Sequence, residues 1–246
     1  KRVVRLRDPV EVVDEIEYLR RKYDVRQFTF VDSIFNNPET HAIAICNELI
    51  KRKLNLEWGM WCGLKNFSEE FLILAKEAGC SHVGFSPDAV NEKGLAALKK
   101  GISEKDIENS LAVARRVKGV ALGYNFFCCY PGQDMRGLMR TILYIFKIPL
   151  MLPGRGGCDL GWIRIEPHTE IYETALKEGV LDSRTDLLVN EEQELLKLFY
   201  APFSQRHLTL IADIVLTVID KGLKPSAKFF FRTLGHLKGK KSLYDS

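Results

Sequence analysis

The 246-residue chain is 46% hydrophobic and 28% charged, the balance of an ordinary globular protein, which excludes a disordered tail, a collagen-like fibre or a coiled coil as the main structure. Lys plus Arg number 36 against 32 for Asp plus Glu, a net charge of +4 spread among acids, so no nucleic-acid partner is expected. The most apolar run, Leu208–Ile219, is interrupted by Asp213 and followed by Asp220, too short a stretch for a transmembrane segment. Lys1-Arg2-Val3-Val4-Arg5 leads into polar sequence rather than the apolar core of a signal peptide. Six cysteines, at 46, 62, 80, 128, 129 and 158, are scattered through a chain too large to need disulfide staples, which points to free thiols and a cytoplasmic setting.

In chain order the pattern is helix, turn, short apolar strand, polar loop. Asp8-Pro9 starts a helix whose apolar residues Val13, Ile16, Leu19 and Tyr23 share one face. Arg26–Asp32 reads as a strand, and Pro38 opens a helix carrying Ile43, Cys46, Leu49 and Ile50. Leu56–Cys62 is the next strand; Ser68 caps a helix over Glu69–Ala78, and Cys80–Ser86 follows as strand. Ser103 with Asp106 marks a helix running to Val117, and Val120–Cys129 is a long strand. Pro131-Gly132 turns into a helix over Arg136–Lys147, Gly161–Glu166 is the last strand, and Thr169–Glu178 a helix. Five strands alternating with helices, several of them apolar on both faces, predict an α/β fold with a parallel sheet. Residues 191–200 and 207–219 have helical periodicity, so Asp182–Ser246 reads as a helical extension of a domain over Lys1–Leu181.

Ligands in such folds bind beyond the carboxyl ends of the strands. Those ends read Asp32-Ser33-Ile34-Phe35-Asn36-Asn37-Pro38, Trp61-Cys62-Gly63-Leu64-Lys65, Ser86-Pro87-Asp88, Cys128-Cys129-Tyr130-Pro131-Gly132-Gln133 and Arg164-Ile165-Glu166-Pro167-His168. All are polar or turn-forming, which an active face at one rim would produce and which helix capping alone explains in part.

These loops, in this order, resemble the radical S-adenosylmethionine (SAM) superfamily, and within it the branch with an N-terminal cobalamin-binding domain. The resemblance rests on Arg5-Leu6-Arg7-Asp8-Pro9, Phe30-Val31-Asp32-Ser33-Ile34-Phe35-Asn36, Ala75–Cys80 leading to Val83–Ser86, and Leu98–Ser103. It also rests on Tyr130-Pro131-Gly132-Gln133, where Pro-Gly-Glu is usual, and Ile163–Thr169; together these span about Arg5 to Leu181. The resemblance implies a partial (βα)6 TIM-like barrel. It implies a 4Fe–4S cluster that binds and reductively cleaves SAM to a 5′-deoxyadenosyl radical, with flavodoxin or ferredoxin as electron donor. In the cobalamin branch, methyl transfer to a small-molecule or lipid substrate often follows.

The superfamily's C-x3-C-x2-C signature is absent: Cys128 and Cys129 are adjacent, and no other two cysteines lie closer than 16 positions apart. The first strand and its cluster loop would lie just before Lys1, so truncation is the expected account, and the isolated chain is expected not to cleave SAM. No residue here is expected to bind metal. By resemblance, Asp32 would meet the SAM amine, with Ser33, Phe35 and Asn36 shaping that end; Ser86 and Asp88 would meet the ribose, and the backbone of Ile165–Pro167 the adenine. Each also has a plain structural reading: Asp32 as a loop cap, and Asn36 as part of an ordinary turn. Asn125, an amide in an otherwise apolar strand, is either a cofactor contact or bonded to a neighbouring strand. Arg164 and Glu166 alternate with Ile163 and Ile165, and would be a buried pair if they face inward. Cys128 and Cys129 should point to opposite strand faces and pack in the core. Trp61 reads as core, and the tail Lys228-Phe229-Phe230-Phe231-Arg232 as a helix on the barrel or a lipid contact. The competing readings are a non-catalytic α/β scaffold and an α/β-barrel lyase or aldolase with Lys65 as Schiff-base residue.

Overall fold

A computed structural model describes residues 5–222. Asp8 caps α1 (Pro9–Tyr23) by accepting the amide of Val10 at 2.8 Å, with Pro9 in the first turn, where its missing N–H costs nothing. Then follow β1 (Gln27–Thr29), α2 (Glu39–Arg52), β2 (Glu57–Trp61) and α3 (Glu69–Glu77), the last capped by Ser68 Oγ accepting from the Phe71 amide. The chain continues through β3 (Cys80–Asp88), α4 (Glu92–Ala97), α5 (Glu104–Arg116), β4 (Ala121–Cys128), α6 (Met135–Met151) and β5 (Gly156–Trp162). It ends in α7 (Glu170–Lys177), α8 (Glu192–Leu196), a short 3-10 turn (Phe203–Gln205) and α9 (Arg206–Gly222).

The five strands form one parallel sheet in the order β1-β2-β3-β4-β5. Strands adjacent in chain order with helical crossovers give the topology of a partial (βα) barrel, since a doubly wound sheet reverses its order partway. β1 pairs with β2 from Gln27↔Glu57 to Thr29↔Gly59, and β2 with β3 from Trp58↔Cys80 to Trp61↔Gly84, with a register shift between Trp58 and Gly59.

The chain divides into two compact units. The first takes the residues up to Ser86 with Lys105–Tyr124 and Met151–Gly156. Its core is aromatic: Phe85 meets Phe67 edge-on at 5.0 Å and Tyr124 at 5.1 Å. The polar tips are satisfied, Trp58 Nε1 donating to the Ala78 carbonyl at 2.8 Å and Tyr124 Oη lying 2.8 Å from Ser110 Oγ. Gly79 has φ +98°, and a Cβ there would sit 2.2 Å from the Leu56 carbonyl oxygen, so only glycine fits this α3–β3 turn.

The second unit takes Pro87–Glu104, Asn125–Leu150 and the chain from Gly157 onward. Ile165, Ala175, Leu181, Leu198 and Tyr200 form one buried cluster, and Ala89, Leu95 and Tyr130 another. Asp134 caps α6 by accepting the Gly137 amide at 2.8 Å. Gln205 Nε2 donates to the carbonyls of Tyr130 at 3.1 Å and Gln133 at 3.3 Å, fixing the turn that precedes α6.

The sequence reading needs four corrections. The last strand is Gly156–Trp162 rather than Gly161–Glu166, because Arg164 instead makes an isolated antiparallel bridge to Phe199 and Ile165 turns into its own cluster. The expected helix over 191–200 shrinks to Glu192–Leu196, whereas α6 runs on past Lys147 to Met151 with Pro149 inside it. A short α4, unpredicted, fills the segment after β3. The tail Lys228–Arg232 lies outside the described residues, among which no helix is long and apolar enough to cross a membrane.

Candidate functional site

Strand alternation decides which side chains are available to a ligand. In the first unit Trp58, Met60, Val83 and Phe85 are fully buried. The opposite face carries Thr29, Gly59, Trp61, His82, Gly84 and Ser86. Here flat rings lie over glycines. A Cβ on Gly59 would meet the His82 ring at 1.8 Å, and one on Gly84 the Trp61 ring at 2.6 Å. Trp61 is thus held flat on this face rather than inserted in the core, and burial lowers the His82 pKa, favouring a neutral imidazole.

The loop after β1 is built to a fixed shape. Phe35 is buried against Phe30 and Trp58, at ring separations of 4.6 and 5.7 Å, and its amide donates to the Trp61 carbonyl at 2.8 Å. Asn36 forms a two-way clamp on the next loop: its Oδ1 accepts the Gly63 amide at 2.8 Å, and its Nδ2 donates to the Gly63 carbonyl at 3.1 Å. Phe35 and Asn36 therefore position the loop, while Asp32 and Ser33 stand exposed beside Val31 (90% exposed) and Ile34 (46%). Ser86 is also exposed. Lys65, the Schiff-base candidate, is exposed, without the apolar surroundings that make a lysine nucleophilic at neutral pH.

In the second unit Asp88, at φ +66°, pairs with Lys100 at 2.7 Å; burial raises its pKa, and the Lys100 ammonium opposes the rise. A ribose would have to share that carboxylate with Lys100. Arg164 and Glu166 pair at 3.1 Å but are largely exposed, so they are not the buried inward pair the alternation allowed. The Ile165 side chain sits in the cluster around Ala175 and Tyr200, and its amide donates to the Leu198 carbonyl at 2.8 Å. Beyond it, Pro167 has no N–H, and the Glu166 carbonyl accepts from Thr169 Oγ1 at 2.6 Å. Asn125 is different, because its Oδ1 is buried with no hydrogen-bond partner.

Two features here were missed in the sequence. Asp159 on β5 has no hydrogen-bond or ion-pair partner among the described residues, and burial pushes its carboxyl up to about 6. Its signal was the alternation Gly157-x-Asp159-x-Gly161, hidden by starting the strand at Gly161. Cys128 and Cys129 are both buried, as expected, but do not point apart: Cys129 leaves the strand at φ +58°, which brings the two sulfurs to 3.2 Å. That contact, with Thr209 Oγ1 3.2 Å from Cys129 Sγ, lowers the Cys129 pKa.

The cysteines present do not make a cluster site. Burial raises the thiols of Cys46, Cys62 and Cys80 well above their ordinary range, whereas cluster ligation requires thiolates. Among the described residues no three His, Cys, Asp or Glu side chains are grouped to hold a metal.

No family model matches the chain. An uncharacterized methyltransferase of Pyrococcus horikoshii is 24% identical over 173 residues, which are 69% of this chain and 36% of that protein. The anaerobic magnesium-protoporphyrin IX monomethyl ester cyclase of Rubrivivax gelatinosus is 37% identical over 101 residues, 39% of this chain and 18% of that one. The chain thus spans about a third or less of the curated relatives it matches. Among solved structures, the radical SAM methyltransferase TsrM of Kitasatospora setae, with tryptophan substrate and a SAM analogue bound, superimposes with a TM-score of 0.59 at 24% identity, over 69% of this chain and 34% of that one. The same enzyme with cobalamin and its 4Fe–4S cluster gives 0.58. The fold of this chain is thus that of the matched part of the radical SAM methyltransferase TsrM.

Proposed function

We propose that the chain is the barrel part of a radical SAM enzyme that binds SAM at the carboxyl rim of its strands and serves methyl transfer to a small molecule. The observation that carries this reading is the structural match to TsrM over 69% of this chain, on a sheet whose strands follow chain order. Asp32 and Ser33 would hold the aminoacyl end of SAM, on a loop whose shape Phe35 and the Asn36–Gly63 clamp fix. Ser86, and Asp88 with Lys100, would meet the ribose. A 4Fe–4S cluster would supply the electron that cleaves SAM; among the described residues no three ligands are grouped to hold it. Cobalamin would be the methyl carrier in the whole protein.

The test uses the full product of the gene, reconstituted anaerobically with iron and sulfide. Formation of a 4Fe–4S signal by electron paramagnetic resonance, and of 5′-deoxyadenosine or S-adenosylhomocysteine from SAM under a strong reductant, supports the reading. A full-length product that assembles no cluster and leaves SAM intact replaces it with the scaffold reading.

A further inference from the structure

β5 and β4 carry polar groups that the rim motifs do not use. The Leu122 amide donates to the Arg155 carbonyl at 2.7 Å, which sets the parallel register Leu122↔Gly156. Three residues on, Asn125 lies beside Asp159 on the neighbouring strand, with backbones about 4.8 Å apart. The register agrees with burial: Phe126 and Leu160, one step further, are both buried on the other face. Asn125 and Asp159 therefore share the face turned away from Tyr124, whose hydroxyl meets Ser110 of α5.

That face is open where it matters. Asp159 is flanked on its own strand by Gly157 and Gly161, and a Cβ built on either glycine would meet nothing within 4 Å. Phe127, two residues beyond Asn125 on the same face, packs beside the Ala89–Leu95–Tyr130 cluster and is partly buried. Beside Asp159 there is thus space at two glycine positions, with an aromatic ring toward the carboxyl end. The two polar groups here are both acceptors, the Asn125 Oδ1 and the Asp159 carboxylate, and neither has a donor among the described residues. Burial without a counter-cation raises the carboxyl toward neutrality, the response of an acid whose positive partner is missing.

We infer that the Asn125–Asp159 slot binds the ammonium group of a substrate, with Asp159 as its counter-ion and Asn125 Oδ1 as a second acceptor. This deepens the proposed function by naming a substrate class, amine-bearing small molecules, and it rests on that reading only in calling the ligand a substrate. SAM also carries an ammonium group, so the test must separate the two sources.

The chain, labelled with carbon-13 at aspartate side-chain carboxyls, is titrated near pH 7.5 with benzylamine and with its neutral counterpart benzyl alcohol. Benzylamine is expected to shift one carboxyl resonance saturably, the one missing from the D159N spectrum, and to bind at least about tenfold more tightly than the alcohol. D159N should abolish that preference, and N125L, which keeps the branched shape but removes the acceptor, should weaken it about threefold; amide spectra confirm that both variants are folded. Equal binding of amine and alcohol, or no saturable shift of the Asp159 resonance, overturns the inference. Saturation of the same resonance by SAM, with displacement of benzylamine, assigns the slot to the cofactor's amine and overturns the substrate assignment. Silence toward SAM supports it. The assay needs no cluster or turnover, so its failure is distinct from failure of the radical SAM reading, which is decided by cluster assembly in the full gene product.

Discussion

The two units of this chain treat their strand ends in opposite ways. In the first, polar groups at the rim are bonded to one another: Asn36 closes on both backbone atoms of Gly63, the Phe35 amide on the Trp61 carbonyl, and the Cys62 amide on the Gly84 carbonyl at 2.9 Å. Gly59 and Gly84 there lie under rings, and Gly79 against backbone. In the second, Asn125 Oδ1 is buried and Asp159 half-buried, neither has a partner among the described residues, and Gly157 and Gly161 of β5 face open space. A frame that only has to hold its shape satisfies its own hydrogen bonds, whereas a surface that receives a ligand leaves some for the ligand to complete. The contrast predicts that changes to the bonded residues Gly79 and Asn36 read out as stability, and changes at Asp159 and Gly157 as binding or pH dependence.

The largest expected effect tests the closed frame. Gly79→Ala adds a methyl group 2.2 Å from the Leu56 carbonyl oxygen at a φ of +98°. Overpacking and the left-handed backbone together should cost about 3–4 kcal/mol, read as a lower urea midpoint at unchanged slope. A loss under about 1 kcal/mol would show that the α3–β3 turn relaxes freely, and the contrast would weaken. Next, Asn36→Ala breaks both bonds to Gly63 and leaves a buried amide unpaired, at a cost of about 2 kcal/mol. Asn36→Asp keeps the acceptor for the Gly63 amide but loses the donor to its carbonyl, and should fall between the two.

Asp159 should behave in the reverse sense. Its folded-state pKa of about 6 lies above the ordinary carboxylate value, so folding favours the protonated form. Its contribution is therefore intact below about pH 4, where both states are protonated, and is lost as pH rises through about 6. Asp159→Asn should stabilise the chain by about 1–2 kcal/mol near pH 7.5, allowing for solvent screening at a half-buried site, and the gain should vanish toward pH 4. Paired unfolding curves at the two pH values check this. A destabilised D159N at pH 7.5 would mean that the carboxylate already has a partner.

Much of the fold was legible because its determinants are local. Asp8-Pro9, Ser68 and Gly79 mark helix ends by capping chemistry, and the both-sided apolar runs around Phe28 and Leu122 mark strands that helices cover. The rim loops were legible as loops, but not which of their polar residues are spoken for. Asn36 and Asp32 look alike in sequence, yet one clamps Gly63 and the other stands exposed; the difference is made by Gly63, 27 positions away from Asn36. The same holds for Asp88, whose partner Lys100 lies beyond α4, a helix too short to announce itself. Cys128 and Cys129 misled because alternation was carried one residue too far: strand geometry ends at Cys128, and the left-handed turn at Cys129 redirects its thiol. Asp159 was lost to a boundary error at a glycine-rich strand, where low side-chain content weakens the pattern.

The smallest expected effect on stability is the sharpest test of the comparison. Gly157→Ala places a methyl group where nothing lies within 4 Å, at a position without positive φ, so packing and backbone terms are both small. Reduced unfolded-state entropy favours alanine, and the net change should stay within about 0.5 kcal/mol of zero. That methyl group nevertheless stands beside Asp159, in the space a bound amine would use. Benzylamine affinity should therefore fall about tenfold or more while the urea midpoint is unmoved. The same substitution chemistry at Gly79 should do the opposite, unsettling the fold while the protein that remains folded binds amine as before. If G157A instead lowers stability as G79A does, the face of β5 is covered rather than open, and the division between a closed frame and a receiving surface fails at the point where it was drawn.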